Sequence, residues 1–357
     1  MKLGELFANE KTTDAWRQRR TELLKLFEDN VYGQTPLIIL DSIVCDCRFK
    51  QFLKNDLFHE VYQITFKKEG HVAKMRYEIF AHPSSIPLPV LLMIDVFDSV
   101  SDDSKELMKK RTGKECQDYL SVVDQGYALL VIHANDLSDD HLKTYSKGIL
   151  EFSPRVKPND WGAIGAWSWG VSQVVNQIEK DQRFDKHKIA LLGISRAGKT
   201  ALWCGAQDER ISIVIAGVSG CGGASLFRES KGESIQEMTT NFPYWTCKNF
   251  TQYAGKEENL PIDQHLLLAL IAPRPLYLFE ATNDNWCDAH TSFQAAVLAS
   301  EVYQLFGENG LSEKHFPKPN TALLDGNIGY HIHSGDHGIF SYDWQQILKF
   351  LGNYFKD

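Results

Sequence analysis

The apolar positions change their rhythm twice along this chain. Residues 13–29 (TDAWRQRRTELLKLFED) set Trp16, Leu23, Leu24 and Phe27 along one side of a helix, with Asp14 or a preceding threonine as its cap. Three runs then alternate apolar and polar residues: 38–49 (IILDSIVCDCRF), 59–66 (HEVYQITF) and 73–81 (AKMRYEIFA). Such alternation predicts antiparallel strands with one wet face. Residues 89–96 (PVLLMIDV) and 127–135 (YALLVIHAN) are instead continuously apolar, the pattern of strands covered on both faces.

From there helical and strand patterns take turns. Helices are predicted over 160–181, with Asp160 placed as cap, and over 196–207, 262–272, 290–307 and 342–355. Strands are predicted over 188–193, 211–218, 275–282 and 327–333. This order predicts an α/β fold with a mostly parallel central sheet, helices on both faces, and the leading antiparallel strands extending one edge. Three segments read as insertions: the charged 98–115, then 134–160 and 307–327. None has the composition of a linker, so residues 1–357 are expected to form a single domain.

Composition narrows the class. The chain of 357 residues is 43% hydrophobic and 24% charged, ordinary for a soluble globular protein. Its net charge of −8 gives no basic footprint for nucleic acid or an anionic membrane. The start, MKLGELFANEKTTDAW, lacks the apolar stretch of a signal peptide, and no apolar run is long enough to span a membrane. Seven cysteines, an odd number, read mostly as free thiols of a reducing compartment. The expected location is therefore cytoplasmic for the chain as it stands, or secreted or periplasmic if a signal has been removed. Cys45 and Cys47 share one face of a strand, but two thiols are too few to hold a metal.

The stretch KIALLGISRAGKT (188–200) carries two motifs at once. Gly193 to Thr200 fit the phosphate-binding loop G-x-x-x-x-G-K-[ST]. The same residues fit a nucleophile elbow with Ser195 at its tip. A phosphate loop needs an acid ending a later apolar strand to hold Mg²⁺, and the next strand ends in Val218 and Ser219. The elbow needs an acid after a late strand and a histidine before the last helix, in the order Ser, acid, His. Asp284 follows PLYLFEAT, and His337 lies in a turn before the closing helix. The sequence thus favours a serine esterase of the α/β-hydrolase fold, a three-layer α/β/α sandwich. Ser195 is the candidate nucleophile, His337 the base and Asp284 its orienting acid. The backbone N–H of Arg196 is the candidate oxyanion donor. Asp288 competes with Asp284, its plainer role being a loop acid or helix cap, and Asp336 adjoins His337 too closely in sequence to orient it. His331 and His333 share a strand face at a metal-binding spacing, without a third ligand at a matching interval.

The string Gly193-x-Ser195-Arg196-x-Gly198-Lys199, with AQDER (206–210), SGCGG (219–223), DQHLLLALIAPRPLY (263–277), the His337 turn and LFEDNVYGQTP near the start, resembles the glucuronoyl esterases, carbohydrate esterase family 15, and its bacterial members most. The resemblance implies cleavage of an ester of (4-O-methyl-)glucuronic acid, such as those joining glucuronoxylan to lignin in plant cell walls. It implies no metal or organic cofactor, and a monomer acting on a carbohydrate substrate. It gives Lys199, Glu233 and Trp286 to the sugar, with Trp245 a weaker candidate, and adds the Arg196 side chain to the oxyanion site. Many members carry a Glu where this chain has Val218; bacterial members can use the carboxylate matched by Asp284. Fungal members pair two cysteines at the places held here by Ile194 and Asp336, so that disulfide is absent. Two other readings remain: an esterase for another small or acetylated-sugar ester, and a nucleotide-binding protein using Gly193–Thr200.

Overall fold

A computed structural model describes residues 5–7, 11–53, 56–96 and 114–355, with backbone only for 114–118. The insertion expected at 98–115 falls almost wholly outside the described residues. Helix α1 (Thr13–Phe27) is capped by Thr12, whose side chain accepts from the Ala15 N–H, and it buries Trp16, Leu23 and Phe27. Among the described residues ten strands follow within one sheet: β1 (Ser42–Phe52), β2 (Phe58–Lys68), β3 (His71–Ala81), β4 (Leu88–Asp95), β5 (Ala128–His133), β6 (Phe184–Ile194), β7 (Ile213–Gly217), β8 (Leu276–Ala281), β9 (Thr321–Leu323) and β10 (Ile328–His333). Their spatial order is β1-β2-β3-β5-β4-β6-β7-β8-β10-β9. From β5 to β10 every neighbouring pair is parallel. The antiparallel β1–β3 extend one edge, and β9 closes the other.

Both faces of the parallel strands are dry, which is why their sequences run apolar without alternation. On β4, Val90, Leu92 and Ile94 enter one core while Leu91 enters the other. On β8, Leu276 and Leu278 face the first, and Tyr277, Phe279 and Ala281 the second. The first core is covered by α1, α3 (Ala163–Ile178), α4 (Arg196–Gln207), α6 (Gln264–Ala269) and α7 (Ala289–Leu305). The second is covered by α2 (Lys114–Asp124) and α8 (Ser341–Phe355). Each fully buried Leu, Ile, Val or Phe contributes about 1.5–3 kcal/mol through water exclusion, offsetting the entropy of ordering the chain.

Several boundaries differ from the sequence expectation. Strand β1 starts at Ser42, and the apolar Leu37 and Ile39 before it lie in solvent. Helix α3 begins at Ala163 with Gly162 as N-cap, so Asp160 is not its cap. Asp160 instead accepts from the N–H groups of Val156 and Lys157. The first amides of α3 are taken by backbone: Ala163 donates to the Tyr244 carbonyl at 2.9 Å and Ile164 to that of Trp245 at 3.2 Å. A side chain at Gly162 would meet the Trp245 carbonyl oxygen at 2.4 Å, so the two segments approach too closely for a side-chain cap. Strand β9 and the short helix α5 (Ile235–Asn241) lie in stretches read as loop.

The connection from β6 to α4 is a single residue, Ser195. Ser195 sits at φ 59°, ψ −126°, a conformation that costs a non-glycine residue energy. Its N–H donates to the Gly217 carbonyl at 2.8 Å. A Cβ at Gly193 would lie 2.0 Å from the Ala197 carbonyl oxygen, and one at Gly198 2.9 Å from the Ser219 Cβ. Gly193→Ala is therefore expected to destabilise the protein by about 1–3 kcal/mol or more and to abolish ester turnover, as read by thermal unfolding and kinetics.

Candidate active site

The carboxyl ends of β6, β7, β8 and β10 deliver Ser195, Val218, Asp284 and His337 to one side of the sheet, where α/β sheets place their ligands. There Ser195, Asp284 and His337 line a single cavity of about 280 Å³. His337 Nδ1 lies 2.6 Å from Asp284 Oδ2. A carboxylate accepts only, so this contact assigns the proton to Nδ1 and leaves Nε2 as the basic nitrogen. Asp284 Oδ1 accepts from the Cys287 N–H at 3.2 Å. Burial alone would raise the Asp284 carboxyl, but the hydrogen bonds from His337 and Cys287 overcome it and hold the group below the usual carboxylate range. Asp288 takes the role of helix cap, accepting from the Thr291 N–H at the start of α7. Asp336 accepts from the Asn283 side chain.

Ser195 is the N-cap of α4 but makes no side-chain capping bond. The positive end of that helix therefore opens beside the serine, with the Arg196 amide first in line. The Arg196 guanidinium is paired with Asp140 and lies over Trp245, 5.0 Å from the ring, and over Phe242 at 5.7 Å. Asp140 also accepts from Trp245 Nε1 at 2.6 Å and from the Tyr244 hydroxyl at 2.9 Å. Asp140 escaped the sequence reading because it lies within a presumed insertion, with no motif around it. Trp245 is nearly buried, as packing would have it, yet it also lines the cavity.

Lys199, Glu233 and Trp286 reach the same cavity. The Lys199 ammonium is buried and its three donors are spent: on the carbonyls of Ser219 (2.8 Å) and Cys221 (2.5 Å), and on Glu233 Oε2 (3.3 Å). A phosphate-loop lysine needs those donors for its nucleotide. Glu233 Oε1 has no partner among the described residues although the side chain is 3% exposed. A buried acceptor left unpaired is costly unless a ligand supplies the donor. Trp286 stands at the rim, 46% exposed. Val218, where many relatives were expected to carry Glu, has φ 41°, and its carbonyl accepts from the buried Cys287 thiol at 3.0 Å. Burial pushes that thiol far up, so it stays neutral. The six described cysteines are all free.

His331 and His333 do have a third ligand-type neighbour, which the spacing did not reveal: Asp343, in the first turn of α8. His331 Nε2 and His333 Nδ1 lie 2.6 and 2.9 Å from Asp343 Oδ1, and all three side chains are buried. Their remaining ring nitrogens face the Tyr277 hydroxyl and the Asp336 carbonyl.

Fold and site together define a serine hydrolase of the α/β-hydrolase class. The family description "glucuronyl esterase, fungi" matches residues 119–307. A carbohydrate esterase from an unknown prokaryotic organism is 32% identical over 94% of this chain and 84% of its own length. The 4-O-methyl-glucuronoyl methylesterase 1 of Phanerochaete chrysosporium is 37% identical over 52% of this chain and 45% of its own. A solved glucuronoyl esterase from Solibacter usitatus superposes with a TM-score of 0.89 at 29% identity, covering 98% of this chain and 97% of that one. The chain belongs to the glucuronoyl esterases, carbohydrate esterase family 15.

One buried group of the site region sets a stability prediction. Burial, and after it the charges of Asp284 and Asp288, push the Glu280 carboxyl on β8 up to about 8, and neither of its oxygens has a hydrogen-bond partner among the described residues. The folded protein then holds a proton that the unfolded chain releases near 4.5. Stability from this group falls as pH rises from 4.5 to 8, by up to about 1 kcal/mol per pH unit, and is flat above. Glu280→Gln should melt above wild type at pH 8, with the gap closing toward pH 4.5, in a pH series of calorimetric scans.

Proposed function

We propose that the protein hydrolyses esters between the carboxyl of (4-O-methyl-)glucuronic acid and an alcohol, the natural substrate being the glucuronoxylan–lignin ester of plant cell walls. The observation that carries this reading is the Asp284-paired His337 sharing one cavity with the strained Ser195. Ser195 Oγ attacks the uronate carbonyl as His337 Nε2 takes its proton, and Asp284 stabilises the imidazolium. The oxyanion forms at the head of α4, where the Arg196 amide donates and its guanidinium adds positive charge. His337 then returns the proton to the departing alcohol, and water hydrolyses the acyl-enzyme by the same steps. No step calls for a metal or organic cofactor.

The sugar is read by Glu233 and Trp286, which line the same cavity as Ser195. Glu233 Oε1 accepts from a ring hydroxyl, held in place because Lys199 fixes the other oxygen. Trp286 offers an aromatic face to the sugar C–H groups. The 4-O-methyl-glucuronoyl methylesterase and glucuronoyl esterase names of the relatives support the uronate as the acid.

Hydrolysis of benzyl glucuronate, with p-nitrophenyl acetate as control, tests the reading. Ser195→Ala should abolish turnover of both while remaining folded, and Asp284→Asn should lower kcat by roughly 10²–10⁴-fold. Cleavage of the acetate alone would discard the glucuronate pocket and leave a general esterase. Glu233→Gln should raise KM for the glucuronate ester by about 10–100-fold and leave acetate hydrolysis unchanged, since a hydrogen bond to a charged acceptor contributes ~1.5–3 kcal/mol.

A further inference from the structure

The turn that carries His337 is tied down from beneath by a charged group that the chemistry does not itself consume. Between β10 and α8 the chain makes a seven-residue excursion, 334–340, with His337 in its middle. His333, the last residue of β10, reaches back into this turn: its Nε2 lies 3.0 Å from the carbonyl oxygen of Asp336, the residue before His337. Its Nδ1 lies 2.9 Å from Asp343 Oδ1. Asp343 Oδ2 in turn accepts from the Phe340 N–H at 2.7 Å, at the far end of the turn.

Both partners of the His333 ring are acceptors. A carbonyl oxygen and a carboxylate oxygen carry no proton to give, so both ring nitrogens must carry one, and the ring is an imidazolium. His331 differs. Its Nε2 faces Asp343 at 2.6 Å, but its Nδ1 faces the Tyr277 hydroxyl at 2.6 Å, which can donate, so this ring is neutral. One buried carboxylate is thus matched by one buried cation. We propose that His333, charged and held by Asp343, is a positioning residue for His337: it clamps the Asp336 carbonyl and so fixes the turn that presents the base. This rests on the reading of His337 as the general base.

The groups facing His333 agree. They are Asp343 from α8, His331 from its own strand, Asp284 from the segment after β8, the Asp336 carbonyl and the Phe340 ring at 5.1 Å. Burial works against the charged ring, but the bonds to Asp343 and the Asp336 carbonyl, with the Asp284 charge, raise it above its ordinary 6.5. Burial lowers His331, and the two histidines hold Asp343 low against its own burial. The sign follows. A group raised on folding is fully engaged below 6.5 and lets go as pH rises through its folded value, so the clamp opens on the alkaline side.

Two uncharged replacements separate the bonds. In His333→Asn the amide nitrogen reaches the Nδ1 position, keeping Asp343 and losing the Asp336 carbonyl. In His333→Gln it reaches the Nε2 position and keeps that carbonyl. Using an ester whose turnover is lost in Ser195→Ala, the Asn variant should lose about 10–100-fold in kcat with KM nearly unchanged. The Gln variant should stay within a few-fold of wild type, without the alkaline fall in kcat expected of wild type. Nitrogen-15 spectra of the histidine rings in the folded wild type should show both His333 nitrogens protonated at neutral pH. A neutral His333, or an Asn variant with wild-type kcat and alkaline limb, overturns the proposal, as would equal losses in the two variants. Failure of wild type to hydrolyse any ester would instead sink the reading of the site, a result the spectra tell apart.

Discussion

The backbone reversal at Ser195 is the constraint on which the site depends. A serine at φ 59° must be held there by its surroundings, because the conformation is unfavourable for any side chain. Three glycines make the holding possible. Gly193 lets the first turn of α4 close over the end of β6, Gly198 lets that helix lie against Ser219, and Gly217 admits the Phe279 ring, whose atoms stand as near as 1.9 Å to where a Cβ would be. With these approaches made, the serine projects from the sheet and the helix points its positive end at the same place. The residues after β7, β8 and β10 then need only short segments to meet it.

Much of this was legible in the sequence, because it rests on period and order. Continuous apolar runs are what strands look like when Leu91 faces one core and Leu92 the other. The order of Ser195, Asp284 and His337 is a consequence of strand succession in a parallel sheet, and the structure brings all three to one cavity with Arg196, Lys199, Glu233 and Trp286. What sequence alone obscured has a common physical character: it depends on contacts between distant segments. Asp140 meets Arg196 across 56 positions. Asp343 joins two histidines from another element. Asp160 had the look of a cap, but the carbonyls of Tyr244 and Trp245 were already in its place. Helix α5 was the exception, since Ser234 and Glu237 form a capping box whose spacing was there to be read.

The carbonyls that cap α3 join two parts of the molecule that chemistry might have kept separate. The same two residues turn their side chains toward Asp140, so the aromatic wall beside Arg196 is anchored by its backbone to a core helix and by its polar atoms to the charge behind the elbow. A site wall fixed in this manner is preorganised, with little left to reorder when a transition state forms. Rigidity here comes from backbone hydrogen bonds rather than from bulk packing alone.

The pairing of Lys199 with Glu233, and of Arg196 with Asp140, also bears on how a catalytic cycle ends. An ester arrives uncharged at its reacting carbon, but the acid that remains after hydrolysis carries a full negative charge. A cavity with surplus positive charge would retain that anion and fill with its own product. Here each of these cations already has a carboxylate against it, so the Arg196 guanidinium that steadies the transient oxyanion at short range is balanced from behind by Asp140, and the finished carboxylate gains little over water outside the rim. Electroneutrality of the wall thus favours turnover by making departure easier than stay.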